Sequence, residues 1–256
     1  MKITKLVLPV GGLGTRLRPL TYKTPKAFIL LKGKPLIYWS LKDLAETDIK
    51  DVVVVANMWE KDAFEKNLIE TRRMFPGLNI HLRFQEEPFG NGDAILEAGD
   101  IIDGYPFIVH LCDEVLVSSS NPPVKTLIRL FDELGSSILV LGRVPKPQVI
   151  RYGVVAVEKV DNNSEVYQIK NFIEKPKLDQ APSNLISIFG HALDRSMFSI
   201  LKELGKTARR VKDGLPITDV FARSLENGDK IYGWEFPGRR FDCGNIEGLK
   251  KAEEEL

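Results

Sequence analysis

The sequence predicts an α/β protein whose mostly parallel central sheet is flanked by helices. Short apolar runs alternate with amphipathic segments along residues 1–144, as in folds where a helix connects successive parallel strands. One run, Asp51–Ala56, contains four consecutive valines, and continuous β-branched runs are typical of strands buried on both faces. The alternation therefore favours a sheet with helices on each side.

The elements of the first portion follow in chain order. Strands are predicted at residues 3–9, 51–56, 80–85, 107–111 and 138–141. Helices are predicted at residues 35–47, 61–74 and 91–102, and a fourth follows its cap Asn121 with Pro122 at its first position. Ligands of parallel α/β folds bind beyond the carboxyl ends of the strands, so we expect a site in the loops that follow these strands.

The pattern changes after residue 145. Gly153–Lys159 and Glu165–Glu174 alternate around Asp161-Asn162-Asn163 and predict a hairpin. Further strands are predicted at residues 185–193 and 230–236, with helices at residues 196–204 and 218–227 and one from Asn245. We expect these elements to complete the same sheet. Residues 1–256 are therefore interpreted as a single domain with portions 1–144 and 145–256.

The composition allows a full core and excludes several classes of partner. Hydrophobic residues make up 43% of the chain and the formal net charge is +1, so we expect neither nucleic-acid nor membrane binding. The aromatic residues Phe28, Trp39 and Trp59 are interpreted as core. The chain has two cysteines, Cys112 and Cys243, and no secretory signal pattern, which predicts a cytoplasmic protein.

The first strand runs into a glycine-rich loop, Gly11-Gly12-Leu13-Gly14-Thr15-Arg16, and Lys26 follows ten residues after Arg16. Glycines let backbone N–H groups approach an anion closely, and both cations suit phosphate oxygens. No Walker string occurs, and the third glycine of a dinucleotide fingerprint is replaced by Leu17. The glycines alone are also compatible with an ordinary turn, but Thr15, Arg16 and Lys26 favour a triphosphate-binding loop.

This string, with the Thr24-Pro25-Lys26 that follows it, resembles the N-terminal motif of the sugar-phosphate nucleotidyltransferases. The resemblance implies transfer of a nucleotide to a sugar 1-phosphate with release of pyrophosphate. It also implies a Rossmann-like sheet of the nucleotide-diphospho-sugar transferase type, with a β-rich sugar-phosphate-binding portion at residues 145–256. By the same resemblance, Arg16 and Lys26 are catalytic, and the nucleotide-binding residues of this loop are Gly11, Gly12, Gly14, Thr15 and Arg16.

Gln85 and Gly90 are expected to bind the base, because the family has a glutamine and a glycine at this spacing. The glutamine would pair with a pyrimidine and the glycine backbone would pack beneath it. A carboxamide can donate to O4 and accept from N3–H of uracil or thymine. The alternative interpretation is a glutamine at a strand end and a glycine that opens a helix.

Asp113 and Asp242 are the expected metal ligands, Asp113 being also a nucleotide-binding residue. The string Asp242-Cys243-Gly244-Asn245 resembles that of the uridylyltransferase branch, where its aspartate is the second ligand. Mg²⁺ prefers a few carboxylates completed by phosphate oxygens and water, so Mg²⁺ is the expected cofactor. Either aspartate alone could instead be a turn or cap residue, and Glu114 could be a further ligand or a solvated neighbour.

The second portion contains matches to the family's sugar-binding strings. Arg151-Tyr152-Gly153-Val154-Val155, Glu174-Lys175-Pro176 and Ala181-Pro182-Ser183-Asn184-Leu185 all correspond. The resemblance implies that Gly153 and Glu174 bind sugar hydroxyls and that Lys175 is catalytic and binds the sugar's phosphate. Glu174 and Lys175 could alternatively be an exposed ion pair. Gly190 lies one residue later than the family's glycine, which requires a bulge if the strand is to keep its register.

The strings of this chain resemble the uridylyltransferase branch more than the thymidylyltransferase branch. The expected substrates are therefore UTP and glucose 1-phosphate, giving UDP-glucose and pyrophosphate with Mg²⁺. The alternative is the same chemistry with dTTP or another sugar, and a more distant one is a non-catalytic sensor or regulatory subunit. The family resemblance also implies a homo-oligomer.

Overall fold

The computed structural model of the protein describes residues 1–87, 89–161, 165–208 and 214–256. Asn162 and Asn163 of the predicted hairpin turn lie outside the described residues. The strands are β1 Lys5–Pro9, β2 Leu30–Leu31, β3 Lys34–Pro35, β4 Asp51–Asn57, β5 Asn79–Gln85, β6 Phe107–His110, β7 Glu114–Val117, β8 Ser137–Arg143, β9 Gly153–Lys159, β10 Val166–Glu174, β11 Leu185–Leu193, β12 Ile231–Glu235 and β13 Arg239–Asp242. The helices are α1 Leu36–Leu41, α2 Lys61–Met74, α3 Asn91–Leu96, α4 Gly99–Ile102, α5 Pro123–Leu134, α6 Arg195–Ala208, α7 Ile217–Glu226 and α8 Ile246–Glu255.

A nine-stranded sheet in the order β5-β4-β1-β6-β11-β8-β12-β10-β9 takes strands from both portions of the chain. Strands β1, β4, β5 and β6 pair parallel to one another, as do β8 and β12. Strand β11 lies antiparallel between β6 and β8, and β10 lies antiparallel between β12 and β9. Of the strands described, therefore, only β10 and β11 run against the rest. The predicted α/β class with a mostly parallel sheet is confirmed.

Both faces of the sheet are covered by helices, which explains the valine run. Val52 and Val54 pack into one core cluster with residues of α1, α2 and α5. Val53 and Val55 pack into a second cluster with residues of α3, α4, α6 and α7. Successive side chains of a strand point to opposite faces, so an unbroken apolar run is what a strand between two helix layers requires.

Three predicted helices differ from the structure. The helix predicted at residues 35–47 is α-helical over Leu36–Leu41 and continues as a 3₁₀ helix over Lys42–Glu46. The segment 91–102 forms two short helices, α3 and α4, separated by a tight turn in which the Ala98 N–H donates to the Ile95 carbonyl. Helix α5 begins at Pro123 and not at Pro122, and no side chain caps it. Because a residue that precedes proline is disfavoured in helical conformation, Pro122 is extended (φ −53°, ψ 137°) and the predicted cap at Asn121 is wrong.

A two-stranded ribbon of β7 and β13 lies outside the main sheet and was not predicted. Each strand has four residues, and Glu114 pairs with Asp242 across the ribbon. The partners are far apart in sequence and too short to give a periodic signal. This ribbon carries Asp242 to the end of the loop that follows β6.

Strand β11 contains the bulge that the position of Gly190 requires. Its register against β8 shifts between Ser187 and His191, and Phe189 within this stretch has φ 56°. A Cβ on Gly190 would lie 2.2 Å from the Val109 carbonyl oxygen. Only glycine fits where β11 passes so close to β6.

Two further outcomes concern the aromatic residues interpreted as core and the possibility of a membrane-spanning helix. Phe28 is buried and Trp39 partly buried, but the interpretation of Trp59 as core is wrong, because 65% of it is exposed. No helix among the described residues combines the length and the apolar character that crossing a bilayer requires.

Candidate active site

The glycine loop after β1 is fixed at one glycine and open at the next. A Cβ on Gly11 would lie 2.9 Å from Oε1 of Gln85, and the Asn57 amide donates to the Gly11 carbonyl at 3.1 Å. Nothing lies within 4 Å of the position that a Cβ on Gly12 would occupy. The backbone at Gly12 therefore faces open space at the carboxyl end of the sheet.

A short 3₁₀ turn then presents Arg16 to the same region. Gly14 precedes the turn with φ 58°, a left-handed conformation that favours glycine, and the Thr21 hydroxyl donates to its carbonyl at 2.9 Å. Leu17 is fully buried and anchors the turn, while Thr15 and Arg16 are exposed. The turn thus holds the guanidinium of Arg16 in solvent beside the site.

Asp113, Asp242 and Arg16 converge on Gly244. A Cβ on Gly244 would lie 2.5 Å from Oδ2 of Asp113, 3.1 Å from Oδ1 of Asp242 and 3.0 Å from Nη2 of Arg16. The backbone also joins the two acidic segments, because the Cys243 N–H donates to the Asp113 carbonyl at 2.7 Å. Three side chains from distant parts of the chain therefore meet around one glycine.

Lys26 completes this group, which we call the phosphate end: Arg16, Lys26, Asp113 and Asp242. The Lys26 ammonium donates to Oδ2 of Asp113 at 2.8 Å. Burial by itself raises the pKa of Asp113, but Lys26 and Arg16 outweigh it and hold that pKa below its ordinary value. Burial likewise lowers the pKa of Lys26, and the Asp113 carboxylate outweighs this and raises it. Both groups are charged at neutral pH.

Glu114 is held in a different way from its neighbour Asp113. The Arg240 guanidinium donates to both of its carboxylate oxygens at 2.6 Å, and the same guanidinium lies over the Tyr152 ring, 5.2 Å from its centroid. The Glu114 side chain is only 11% exposed, so it is not a solvated neighbour, and its role as a further metal ligand stays a prediction. The pair instead links the ribbon to Tyr152, beside Gly153.

Gly153, Glu174 and Lys175 lie together where β9 begins and β10 ends. Gly153 pairs with Glu174 in the sheet, and a Cβ on Gly153 would lie 2.5 Å from the Phe172 ring and 3.1 Å from Oε2 of Glu174. The Lys175 side chain is 66% exposed and its Nζ lies 3.4 Å from Oε1 of Glu174. Its backbone has φ 43°, a conformation uncommon for a side-chain-bearing residue. This geometry suits both the sugar-phosphate role and the exposed ion pair.

Gln85 is buried at the end of β5, and its amide is already engaged. Its Nε2 donates to the Gly90 carbonyl at 3.1 Å and to Oδ2 of Asp93 at 2.8 Å. A carboxamide has two N–H donors, and both are engaged within the protein here, so the expected donation to O4 of a base stays a prediction. The oxygen Oε1, which faces Gly11, is left to accept. We call Gln85, Gly90 and Asp93 the base end.

The sequence interpretation missed Asp93. The available signal was an acidic residue in the first turn of a helix, three residues after Gly90. Acidic residues in first turns are common because they suit the helix dipole, so nothing in the sequence distinguished this one. Among the described residues, no group of three or more histidine, cysteine, aspartate or glutamate side chains could hold a metal ion.

Comparisons with known proteins indicate the family and the fold of the chain. The sequence profile of the nucleotidyl transferase family matches residues 5–256. A UTP–glucose-1-phosphate uridylyltransferase of Staphylococcus saprophyticus is 31% identical over 98% of this chain and 91% of its own, and one of Bacillus subtilis is 30% identical over 100% and 90%. A crystal structure of a UDP-glucose pyrophosphorylase complexed with UDP-glucose superposes with a TM-score of 0.85 at 30% identity, covering 98% of this chain and 97% of that one.

Proposed function

The chain belongs to the nucleotidyl transferase family, and from that premise we propose that it transfers uridylate from UTP to glucose 1-phosphate. The products are UDP-glucose and pyrophosphate. The relatives at 30% identity or more that cover nearly the whole chain are named for this reaction. They support UTP and glucose 1-phosphate as the substrates.

The observation that carries the proposal is the convergence of two cations and two carboxylates at the phosphate end. In the reaction, an oxygen of the sugar's phosphate attacks the α-phosphorus of UTP, and the bond to the bridging oxygen of the β-phosphate breaks. The main obstacle is repulsion between two anions, so catalysis here is positioning and charge neutralisation. The attacking phosphate is already ionised at neutral pH, and no general base is needed.

Three cations divide this work. The exposed guanidinium of Arg16 binds the departing β- and γ-phosphates with its planar fork of donors. Lys26, a point charge beside Asp113, stabilises the α-phosphate. Lys175, exposed next to Glu174, holds the phosphate of the sugar.

Mg²⁺ fits the residues at the phosphate end. Asp113 and Asp242 both direct carboxylate oxygens at the same glycine, and a hard cation that takes few protein ligands suits such a pair. When bound, Mg²⁺ supplies charge neutralisation between the reacting phosphates. Lys26 keeps Asp113 ionised, so that this carboxylate is ready to bind a cation at neutral pH.

The two portions of the chain divide recognition. Residues 1–144 bind the nucleotide through the glycine loop (Gly11, Gly12, Gly14 and Thr15) and the base end, and residues 145–256 bind the sugar phosphate through Gly153, Glu174 and Lys175. We treat residues 1–256 as a single nucleotidyltransferase domain. The shared nine-stranded sheet supports that assignment.

The test is pyrophosphate release from UTP, dTTP, CTP, ATP and GTP in turn, each with glucose 1-phosphate and Mg²⁺. Release with UTP well above the others is the expected result. No release with any nucleotide would overturn the proposal and favour a non-catalytic protein. A preference for dTTP would move the assignment to a thymidylyltransferase, because the acceptor Oε1 of Gln85 serves uracil and thymine equally.

Cytoplasmic location and a homo-oligomeric assembly remain predictions. Light scattering on the purified chain tests the assembly directly.

A further inference from the structure

The base end contains a buried carboxylate that the proposed reaction does not use. Asp93, only 8% exposed, lies in the first turn of α3 and accepts from Nε2 of Gln85 at 2.8 Å. The Gly90 carbonyl accepts from the same nitrogen at 3.1 Å. Gln85 itself is 3% exposed. Two acceptors thus hold one buried amide.

These two partners fix which end of the amide faces the base. An ionised carboxylate and a peptide carbonyl can accept hydrogen bonds but cannot donate them. If the Gln85 amide turned over, Oε1 would face both acceptors and two buried groups would lose their partners, at a substantial cost. The amide therefore has one allowed orientation.

In that orientation Gln85 presents an acceptor and no donor. Its Oε1 lies against Gly11, and within the described part of the chain the hydrogen bonds of this side chain all run from Nε2. When it faces the N3 position of the base, an acceptor-only edge matches N3–H of uracil or thymine and opposes cytosine, whose N3 is itself an acceptor. We infer that Asp93 is a positioning residue that makes the chain selective for uracil-type over cytosine-type nucleotides by locking the Gln85 amide. This inference rests on the proposed function.

Two substitutions separate this role from a merely structural one. Asp93→Leu keeps the volume but removes the acceptor, so one amide proton loses its partner and the amide can turn its nitrogen toward the base. We expect the UTP-to-CTP ratio of kcat/KM to fall about tenfold, the effect of one hydrogen bond. Asp93→Asn keeps an acceptor oxygen in one rotamer, so this ratio should fall less than about threefold.

The matched control is Asp62→Leu, which removes an exposed acid from the first turn of α2. It should leave the ratio unchanged. If Asp93→Leu lowered the rates with UTP and CTP equally, Asp93 would be structural only and the inference would be overturned.

A second measurement tests the locked amide in the wild type, so it does not depend on whether a variant of Asp93 folds. In the nucleotide-free wild type, the side-chain amide protons of Gln85 should exchange with water far more slowly than those of exposed Gln180, as NMR can measure. The Gln85 resonances are assigned from their loss in Gln85→Glu. Exchange as fast as that of Gln180 would overturn the inference. If the wild type turned over no nucleotide, the proposed function would fail. The role of Asp93 would still be tested by this exchange rate and by the relative binding of UTP and CTP.

Discussion

The base end and the phosphate end lie at the same edge of the sheet but are built in opposite ways. The residues of the base end come from one stretch, Gln85 to Asp93, and the Gln85 amide is held by two acceptors within that stretch. The phosphate end assembles four charges from three distant segments around Gly244. Recognition of the base is therefore a local property, while charge neutralisation depends on the whole fold.

The difference also appears in how each end balances its charge. Lys26 pairs with Asp113, and the Arg16 guanidinium and the Asp242 carboxylate both approach Gly244. This end carries as many cations as carboxylates, so its charges balance without a ligand and its cations can exchange these contacts for phosphates. The base end gives up no hydrogen bond when a base binds, because the contacts of the Gln85 amide run from Nε2 and its Oε1 is left to accept. The comparison predicts that the phosphate end is sensitive to any change in charge or spacing.

The largest expected effect comes from removing a carboxylate of the phosphate end. Asp113→Asn and Asp242→Asn should each lower kcat/KM about 10³-fold in pyrophosphate release, because each leaves the reacting phosphates less neutralised. The matched control is Asp51→Asn. Asp51 begins β4, at the end of the parallel strands opposite to the site, so this variant should keep wild-type activity. Equal losses in all three variants would contradict a special sensitivity of the phosphate end.

A change of spacing without any change of charge should cost less. Gly244→Ala would place a methyl group 2.5 Å from Oδ2 of Asp113 and push the converging side chains apart. We expect kcat/KM to fall about 10²-fold, the effect of misplacing reacting groups by about 1 Å. Gly77→Ala, where nothing lies within 4 Å, should be neutral. Full activity of Gly244→Ala would show that the convergence is not needed.

Removal of Lys175, the cation proposed to bind the sugar's phosphate, should have a smaller effect, and on substrate binding more than on catalysis. The Lys175 side chain is exposed and its ammonium lies 3.4 Å from Glu174, so Lys175→Ala should mainly weaken binding of glucose 1-phosphate. We expect its KM to rise about tenfold, in line with one charge-assisted hydrogen bond, while KM for UTP stays the same. Steady-state kinetics with each substrate varied in turn measures this. An unchanged KM would favour the exposed ion pair.

The smallest effect concerns the stability of the fold away from the phosphate end, at His191, whose ring packs against Phe221 of α7. Burial lowers the pKa of His191, on β11, to about 3 from an ordinary 6.5. Between these values the unfolded state binds a proton that the folded state does not, so stability is complete above about pH 6.5 and falls as the pH decreases. This costs about 1.4 kcal/mol per pH unit. Buried His110, whose pKa is also lowered to about 3 by burial, contributes equally. His191→Gln should therefore reduce the slope in urea unfolding at pH 7, 6 and 5 by about 1.4 kcal/mol per pH unit, and an unchanged slope would contradict the prediction.

Much of the fold could be predicted because its signals are local. Helix α2 occupies the predicted residues, Asn245 caps α8 by accepting from the Gly248 N–H, and the β9–β10 hairpin forms. Errors arose where packing competes with local pattern, as in the break between α3 and α4. The glycine loop was also found locally, because turn glycines and nearby cations are readable from spacing, whereas Gln85 was singled out by the family resemblance.

The sequence by itself determined the α/β class, the glycine loop with its cations, and the identity of both aspartates. Only the tertiary structure decided that Asp113 and Asp242 meet, because the β7–β13 ribbon that joins them pairs residues with no shared periodicity. It also decided that Glu114 belongs to Arg240 and that Asp93 holds Gln85. The physical reason is that hydrogen bonds and ion pairs depend on distances between side chains, and periodicity specifies faces of elements but not those distances.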